Sequence, residues 1–308
     1  MMPSMDYAEA RDAFFQPRSD DAPAAGTDDW DAMPGRRLRH VLEPLATINF
    51  WSEPAVAAYE KVGLDFLGGY VLARGSVLGD AEGAVVASAF GTFQPDVIAA
   101  LWAGAREACD LDAIRGARRD GAVTALREVL GDAPEGLADV VGALHRAAGV
   151  VTTVGHPLSA GLAAAPWPDE PLAALWHGAT LLRENRGECH LSACAVAGLD
   201  GLEANLLTER RVGWAPTAYA GSRAWSPEEM EAATRRLADR SLLGGDGLSA
   251  EGIELRDRLE EQTEEQQAGV LAAIGDDLDL VVERCGAWSD QVLAHGWFPP
   301  DAYKRAAG

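Results

Sequence analysis

The stretch RLADRSLLGGDGLSAEGIELRDRLEEQTE, residues 236–264, decides the fold. Its helical leucine spacing ends at the glycine-rich segment 244–247, which predicts a tight turn. A new helix begins after Ser249. Another helix begins upstream at residues 226–229, where Ser-Pro-Glu-Glu supplies an N-cap, a first-turn proline and two acids that suit the helix dipole. The sequence therefore predicts a helix, a short hairpin and a second helix in this region.

This block resembles the recognition helix, hairpin wing and following helix of MarR-type regulators, in which a helix ending LxxRGLL leads into a wing closed by LTxxG. Together with PWPDEPLAALWHGATLLRENRGECHLSACAVAGLDGLEANLL, residues 166–207, it resembles an actinobacterial helix-turn-helix-like family over nearly the whole chain after the N-terminal segment. The resemblance implies a winged-helix fold and assigns no activity.

The rest of the chain predicts a mainly α fold, because it is dense in Ala, Leu, Val, Glu and Arg and is punctuated by Gly or Pro. We expect a helical N-terminal half packed on a C-terminal winged-helix-like half with a small β-wing. Residues 1–35, rich in Pro and Asp, are expected to form a disordered acidic tail. An N-terminal helical domain then covers 36–165, and a winged-helix-like domain with C-terminal helices covers 166–308.

Two sequence signals predict where particular helices end. A helix over Leu38–Ile48 is expected to break at Glu43-Pro44, because proline disrupts a helix interior. The segment Pro168-Asp169-Glu170-Pro171 opens the helix with the strongest start signal. Arg186-Gly187 is expected to end or kink that helix, and His190–Ala197 to form a shorter one.

The net charge of the chain and the pattern of its cysteines indicate where the protein is located and which partners it can bind. The chain has 26 Lys and Arg against 48 Asp and Glu, a net charge of -22, which repels the phosphates of nucleic acids and of anionic membranes. No apolar run is long enough to span a membrane, and the first residues are charged where a signal peptide is apolar. The four cysteines form no C-x-x-C pair and are expected to be reduced. We therefore expect a cytoplasmic protein without a membrane partner.

The charge of the predicted reading helix argues against DNA binding. Between Glu228 and Arg240 the acids exceed the arginines by one, and the wing carries no cation where minor-groove wings present Arg or Lys. The alternative is that a homodimer clusters several arginines into a local basic face. Those arginines are Arg210, Arg211, Arg223, Arg235 and Arg236.

A dense polar segment supplies the candidate catalytic residues. His190 is expected to titrate near neutrality, Arg186 can bind a carboxylate through two hydrogen bonds, and Glu184 or Glu188 can orient either group. The competing interpretation is an ion-pair network between helix surfaces. His177, Glu184 and Glu188 share a helix face, but the H-E-x-x-H zinc motif is absent, so no metal site is predicted.

Aromatic and polar residues in both halves are the candidate ligand-binding set. They are Asn49, Trp51, Tyr70, Trp176, His177 and Arg183. Nine tryptophans in a helical protein suit a hydrophobic cavity between the halves. The alternative is that these aromatic residues form the core. Cofactors stay open: the sequence requires none, and a haem on a lone histidine such as His177 or His190, or a metal, is the remaining alternative.

The sequence lacks the motifs of several enzyme classes, which argues against a hydrolase, an NTPase or a dehydrogenase. It has no G-x-S-x-G elbow, no G-x-x-x-x-G-K-[ST] loop and no Rossmann glycine fingerprint between a strand and a helix. The leading hypothesis is a small-molecule-binding protein on a winged-helix scaffold that has lost DNA binding, with an enzyme acting on a hydrophobic or aromatic secondary metabolite as one form of it. The alternatives are a MarR-like ligand-responsive regulator and an interaction protein that uses the acidic tail and the helix at 254–267.

Overall fold

The computed structural model describes residue 30, residues 32–245 and residues 247–300. The first half contains helices α1 (Pro34–Trp51), α2 (Glu53–Lys61), α3 (Phe66–Gly75), α4 (Gly83–Phe90), α5 (Pro95–Ala108), α6 (Leu111–Leu130), α7 (Leu137–Ala148) and α8 (Pro157–Ala163). The second half contains α9 (Pro171–Val196), α10 (Gly201–Arg211), α11 (Ala218–Gly221), α12 (Pro227–Asp239), strands β1 (Leu243–Gly244) and β2 (Gly247–Leu248), and helices α13 (Ala250–Gln266), α14 (Ala268–Ile274) and α15 (Leu278–Ala294).

The predicted helix, wing and helix are confirmed. Ser226 and Glu229 form a capping box at the start of α12, and β1 pairs antiparallel with β2, with Leu243 opposite Leu248. The hydroxyl of Ser249 then accepts a hydrogen bond from the backbone N–H of Gly252 and caps α13. The mainly α fold with a small β-wing is therefore confirmed as well.

Helix α9 is the centre of the molecule and packs against α1, α6, α7, α8 and α13. The carboxylate of Glu170 caps its first turn by accepting from the N–H of Ala173, and Pro171 occupies its first position. The expected break at Arg186-Gly187 is wrong, because the helix continues to Val196. A glycine inside a helix costs only about 1 kcal/mol, which packing on several sides outweighs.

Pro44 does not break α1 either. The helix is continuous from Pro34 to Trp51, although proline removes one backbone hydrogen bond. Residues 42–51 are all buried, with α1 packed between α9 and α15. Tertiary packing therefore overrides the local preference that predicted the break.

Three apolar cores hold the helices together. The largest combines α1, α6, α7, the first half of α9 and α15, so it takes residues from both sides of residue 165. The second lies under the wing and the third under α2–α5. The division at residue 165 stays a prediction. None of the helices in the described ranges is long and apolar enough to cross a membrane.

Most of the predicted tail, residues 1–29 and residue 31, lies outside the described residues. Its last part does not fit the expected disorder: Trp30 is buried, and α1 begins at Pro34. The N–H of Gly35 donates to the side chain of Glu264 on α13. The ordered chain therefore starts before residue 36.

Gly201 provides a test of how α10 meets the end of α4. A Cβ at this position would overlap the backbone carbonyl of Gly91. We expect Gly201→Ala to lower the free energy of unfolding by about 1–3 kcal/mol through overpacking, although alanine favours helices by about 1 kcal/mol over glycine. Urea denaturation measures the change.

The matched control is Gly104→Ala in α5, where a Cβ would meet nothing within 4 Å. That variant is expected to be as stable as the wild-type protein or more stable. Equal stabilisation by both substitutions would contradict the close contact between α10 and α4.

Candidate functional site

A cavity of about 400 Å³ lies beside the second half of α9. Helices α1, α3, α4, α10 and α13 close its other sides. Its charged and ring-bearing lining residues are Trp30, Arg36, Arg39, His40, Glu43, Arg74, Phe90, Arg183, Glu184, Arg186, Glu188, His190, Trp214, Tyr219, Arg256 and Glu260. The cavity therefore draws on both halves of the chain.

The charged residues that line the cavity are positive overall, whereas the whole protein is negative. Six arginines and four glutamates line the cavity, whereas the complete chain has a net charge of -22. Arg74, Arg183, Arg186 and Arg256 are each no more than 8% exposed. Because buried charges require partners, the pairing of these groups determines what the cavity can bind.

Glu184 forms the first charged cluster with α3 and α9. Its carboxylate accepts from Nε and Nη2 of Arg74 at 3.0 and 2.9 Å and from Nη1 of Arg183 at 2.7 Å. Arg183 also contacts Glu43 of α1 at 3.4 Å, and Arg39 contacts Glu43 at 3.5 Å. We call these five residues the Glu184 cluster. An ion-pair network between helices, the interpretation that competed with a catalytic role, is therefore present here.

The pKa of Glu184 follows from this pairing. Burial by itself raises the pKa of the carboxyl, but the guanidinium groups of Arg183 and Arg74 outweigh burial and lower the pKa to about 2. The carboxylate is therefore charged at neutral pH. The Arg74 guanidinium also lies 4.5 Å from the centre of the Phe90 ring, a cation–π contact at the edge of the cavity.

A second charged cluster lies between α1, α9 and α13. The Glu260 carboxylate is bound by Arg186 and, at 3.1 Å, by Arg36. Arg256, one turn before Glu260 on α13, completes this Glu260 cluster. Burial raises the pKa of Glu260, but Arg186 and Arg36 outweigh it and lower the pKa to about 2. Two guanidinium groups thus pair with the Glu260 carboxylate, and that of Arg256 lies nearby without an ion pair to it.

Trp30 covers this cluster from the N-terminal side. Its ring centre lies 4.5–5.1 Å from the guanidinium carbons of Arg36, Arg211 and Arg256. Its Nε1 donates to the carboxylate of Asp257 at 3.1 Å. The indole therefore forms a wall of cation–π contacts beside the cavity.

Helix α12, the predicted reading helix, uses its arginines in contacts within the chain. Arg236 donates to Glu203 at 2.8 Å and to Asp200 at 2.6 Å, and Arg240 donates to the backbone carbonyls of residues 197 and 198, both at 2.9 Å. Arg235 pairs with Glu231 at 2.5 Å on the exposed face. Each arginine of this helix therefore already has an anionic or carbonyl partner.

A model of a helix-turn-helix family matches residues 35–299, which is most of the chain. This chain belongs to that helix-turn-helix family. The match agrees with the helix, wing and helix at α12–α13 and extends over the cavity-forming helices. No curated protein and no solved structure matches the chain.

In this helix-turn-helix chain all four residues predicted as catalytic line the same cavity: Glu184, Arg186, Glu188 and His190. Each is held by the protein. Glu184 and Arg186 belong to the two charged clusters, and Glu188 accepts from the N–H groups of Leu158 and Ser159 at the start of α8. Their catalytic role stays a prediction.

His190 does not titrate near neutrality as expected. Burial, followed by the nearby Arg256, lowers its pKa to about 3, so the ring is neutral at pH 7. Its Nδ1 lies 3.3 Å from the hydroxyl of Thr263 and its Nε2 lies 3.6 Å from the sulfur of Cys194. The ring is a neutral hydrogen-bonding group of the cavity wall.

Of the six predicted ligand-binding residues, Arg183 lines the cavity. Tyr70 packs against the lining residue Phe90, with ring centres 6.2 Å apart. Asn49 donates to the hydroxyl of Tyr59, and Trp51 packs in the largest core. These three aromatic or amide side chains are thus not among the residues that line the cavity.

Trp176 and His177 also lie outside the cavity wall. The Nε1 of Trp176 donates to the carbonyl of Ala46 at 3.1 Å in the largest core. His177 packs edge-on against Trp167, and burial, together with Arg118, lowers its pKa to about 4. His177, Glu184 and Glu188 therefore do not meet, and the described residues hold no group of three His, Cys, Asp or Glu side chains suited to a metal.

Sequence reasoning missed the contribution of α13. Arg256 and Glu260 each follow a buried leucine of this helix, Leu255 and Leu259, so the two charges border its apolar face. Two opposite charges four residues apart, beside the buried leucines of a helix, are the sequence pattern from which Arg256 and Glu260 could have been predicted. The aromatic walls Phe90, Trp214 and Tyr219 come from separate elements and carry no local signal.

Glu184→Gln tests the buried cluster. We expect the variant to lose about 3 kcal/mol of unfolding free energy at pH 7, because Arg74 and Arg183 lose the charge that compensates them. The folded pKa of Glu184 lies below its ordinary value of 4.5. Its stabilisation is therefore complete above pH 4.5 and is lost as the pH falls towards 2.

Urea denaturation at pH 7 and at pH 4 measures both effects, and the variant should lose less stability than the wild-type protein between the two pH values. The control is Glu254→Gln, whose exposed pair with Arg258 contributes little. Equal unfolding free energies for the two variants at pH 7 would contradict the role given to Glu184.

Proposed function

We propose that this chain binds a small molecule in the arginine-lined cavity and does not use α12 to read DNA. The observation that carries the proposal is the cavity itself, which lies between the two halves beside α9. Its volume of about 400 Å³ is within the range of small-molecule sites, and such sites often lie between structural units.

The lining supports a ligand with an apolar or aromatic part. Phe90, Trp214 and Tyr219 face the same space as the charged clusters, together with Leu191 and Val212. Apolar walls with a few placed polar groups are typical of ligand sites. Binding is favoured over catalysis, because Glu184 and Arg186 are paired within the protein and the His190 ring, with its pKa lowered by burial to about 3, is a weak base at pH 7.

The contacts of α12 support the second part of the proposal. Nucleic-acid binding depends on cations that displace the counterions of phosphate groups. Arg236 and Arg240 are directed towards the protein, and Arg235 is neutralised by Glu231. The other arginines that a dimer was expected to cluster include Arg210, which pairs with Glu209.

A MarR-like regulator that responds to a ligand is the second candidate. The family match and the wing between α12 and α13 favour it. The two candidates share the cavity and differ in what α12 does. A DNA-binding experiment therefore separates them.

Gly187→Phe tests whether the cavity holds a ligand. Gly187 lines the cavity, and a Cβ there would meet nothing within 4 Å, so the new side chain starts from open space beside the cavity. We expect native mass spectrometry to find a bound small molecule on freshly purified wild-type protein incubated with an extract of its native host. The same adduct should be absent from Gly187→Phe.

Gly116→Phe is the matched control, because this glycine of α6 is also half-buried and has equally open space outside the cavity. It should retain the adduct, and both variants should melt close to the wild-type temperature. An adduct that persists in Gly187→Phe, or a wild-type protein that carries none, would contradict the proposal.

A gel-shift at low salt tests the second candidate. We expect no sequence-specific retention of DNA from the region upstream of the gene, because α12 and the wing offer no unpaired cation among the described residues. Specific retention that is abolished by Arg235→Glu would overturn the proposal and favour the regulator. Arg258→Glu, on the exposed side of α13, is the control for a general change in charge.

A further inference from the structure

The Glu260 cluster contains more positive charge than its own carboxylate can neutralise. Arg36 and Arg186 both bind Glu260, while Arg256 donates no hydrogen bond to any side chain or carbonyl of the described residues. Arg256 is nevertheless only 3% exposed. A buried guanidinium group without an acceptor is costly, so this position needs an explanation beyond packing.

Hydrogen-bond donors remain unused on two arginines of the cluster that line the cavity. Nε and Nη1 of Arg256 and Nε of Arg186 are buried and have no acceptor within the described part of the chain. Both residues line the cavity. Unsatisfied donors on two cationic groups at one cavity are the arrangement that an incoming oxyanion satisfies.

The Glu184 cluster differs, because each of its arginines has an ion pair. Arg74 and Arg183 pair with Glu184, and Arg39 pairs with Glu43. In the Glu260 cluster Arg256 forms no ion pair within the described residues. The uncompensated guanidinium group therefore lies at the end of the cavity near α13.

The negative charge of the whole chain does not prevent this binding. Charges in water are screened within about 8 Å at physiological ionic strength. A group inside the cavity therefore responds chiefly to the arginines that surround it. The arginines of the cavity therefore attract an anionic group although the protein as a whole is negative, and these nearby arginines determine which group binds.

We propose that the cavity selects a ligand with an anionic oxygen group, a carboxylate or a phosphate, which Arg256 and Arg186 bind. The aromatic or apolar remainder of the ligand lies along Phe90 and Tyr219. This inference rests on the proposed function, since it names the ligand class of the same cavity. Arg256 is then a binding residue whose donors the fold leaves unsatisfied for the ligand.

Two fluorescent probes with the same ring system test the charge requirement. 8-Anilinonaphthalene-1-sulfonate is anionic, and N-phenyl-1-naphthylamine is its neutral counterpart. We expect the full-length wild-type protein to bind the anionic probe about 10- to 100-fold more tightly, the range given by charge-assisted hydrogen bonds. Equal affinity for the two probes would overturn the inference without needing any variant.

Arg256→Met assigns the effect to one side chain. The anionic probe should lose about 10- to 100-fold in affinity, while the neutral probe binds as before. The variant should melt no lower than the wild-type protein, because it removes a buried charge that has no ion pair. Arg258→Met, two residues along the same helix and exposed, should change neither probe.

The remaining outcomes separate the inference from the proposed function. Gly187→Phe should weaken both probes; unchanged binding there would place the probes outside the cavity and count against the proposed function. Loss of both probes alike in Arg256→Met would overturn the anion site and leave the cavity as a binding site.

Displacement by benzoate or by phenyl phosphate, with benzamide as the neutral control, distinguishes carboxylate from phosphate. Displacement by benzamide alone would overturn the anion requirement.

Discussion

Burial of the Glu184 carboxylate is the constraint on which the arrangement of the central helices depends. A charge that is 4% exposed needs compensation, and here it comes from Arg74 of α3 and Arg183 of α9, with Glu43 of α1 balancing Arg183. Such buried networks contribute little net stability, but they are costly to break. The network therefore fixes where α1, α3 and α9 meet, and the cavity forms beside that junction.

The sequence could predict those helices and strands whose ends are determined by residues close together in the chain. The capping box at Ser226 and the wing that ends before Ser249 depend on residues within a few positions of one another, and the structure confirms them. The same holds for the start of α9 at Pro171. Among the candidate site residues, those between Arg183 and His190 reach one cavity because one helix carries them.

Features that depend on distant parts of the chain could not be predicted in this way. Pro44 and Gly187 are helix-breaking residues whose helices continue because neighbouring helices pack around them. The partners of Arg74 and Arg186 are 110 and 74 residues away in the chain, so no spacing rule reveals them. A similar distance separates Trp176, which was assigned to a ligand, from its partner Ala46 of α1, 130 residues away.

The glycine that lines the cavity leaves the volume of the cavity adjustable. A Cβ at Gly187 would meet nothing within 4 Å, so the first atom of a larger side chain finds room beside α9. A single codon change at this position would therefore alter the volume of the cavity while the course of α9 stays the same.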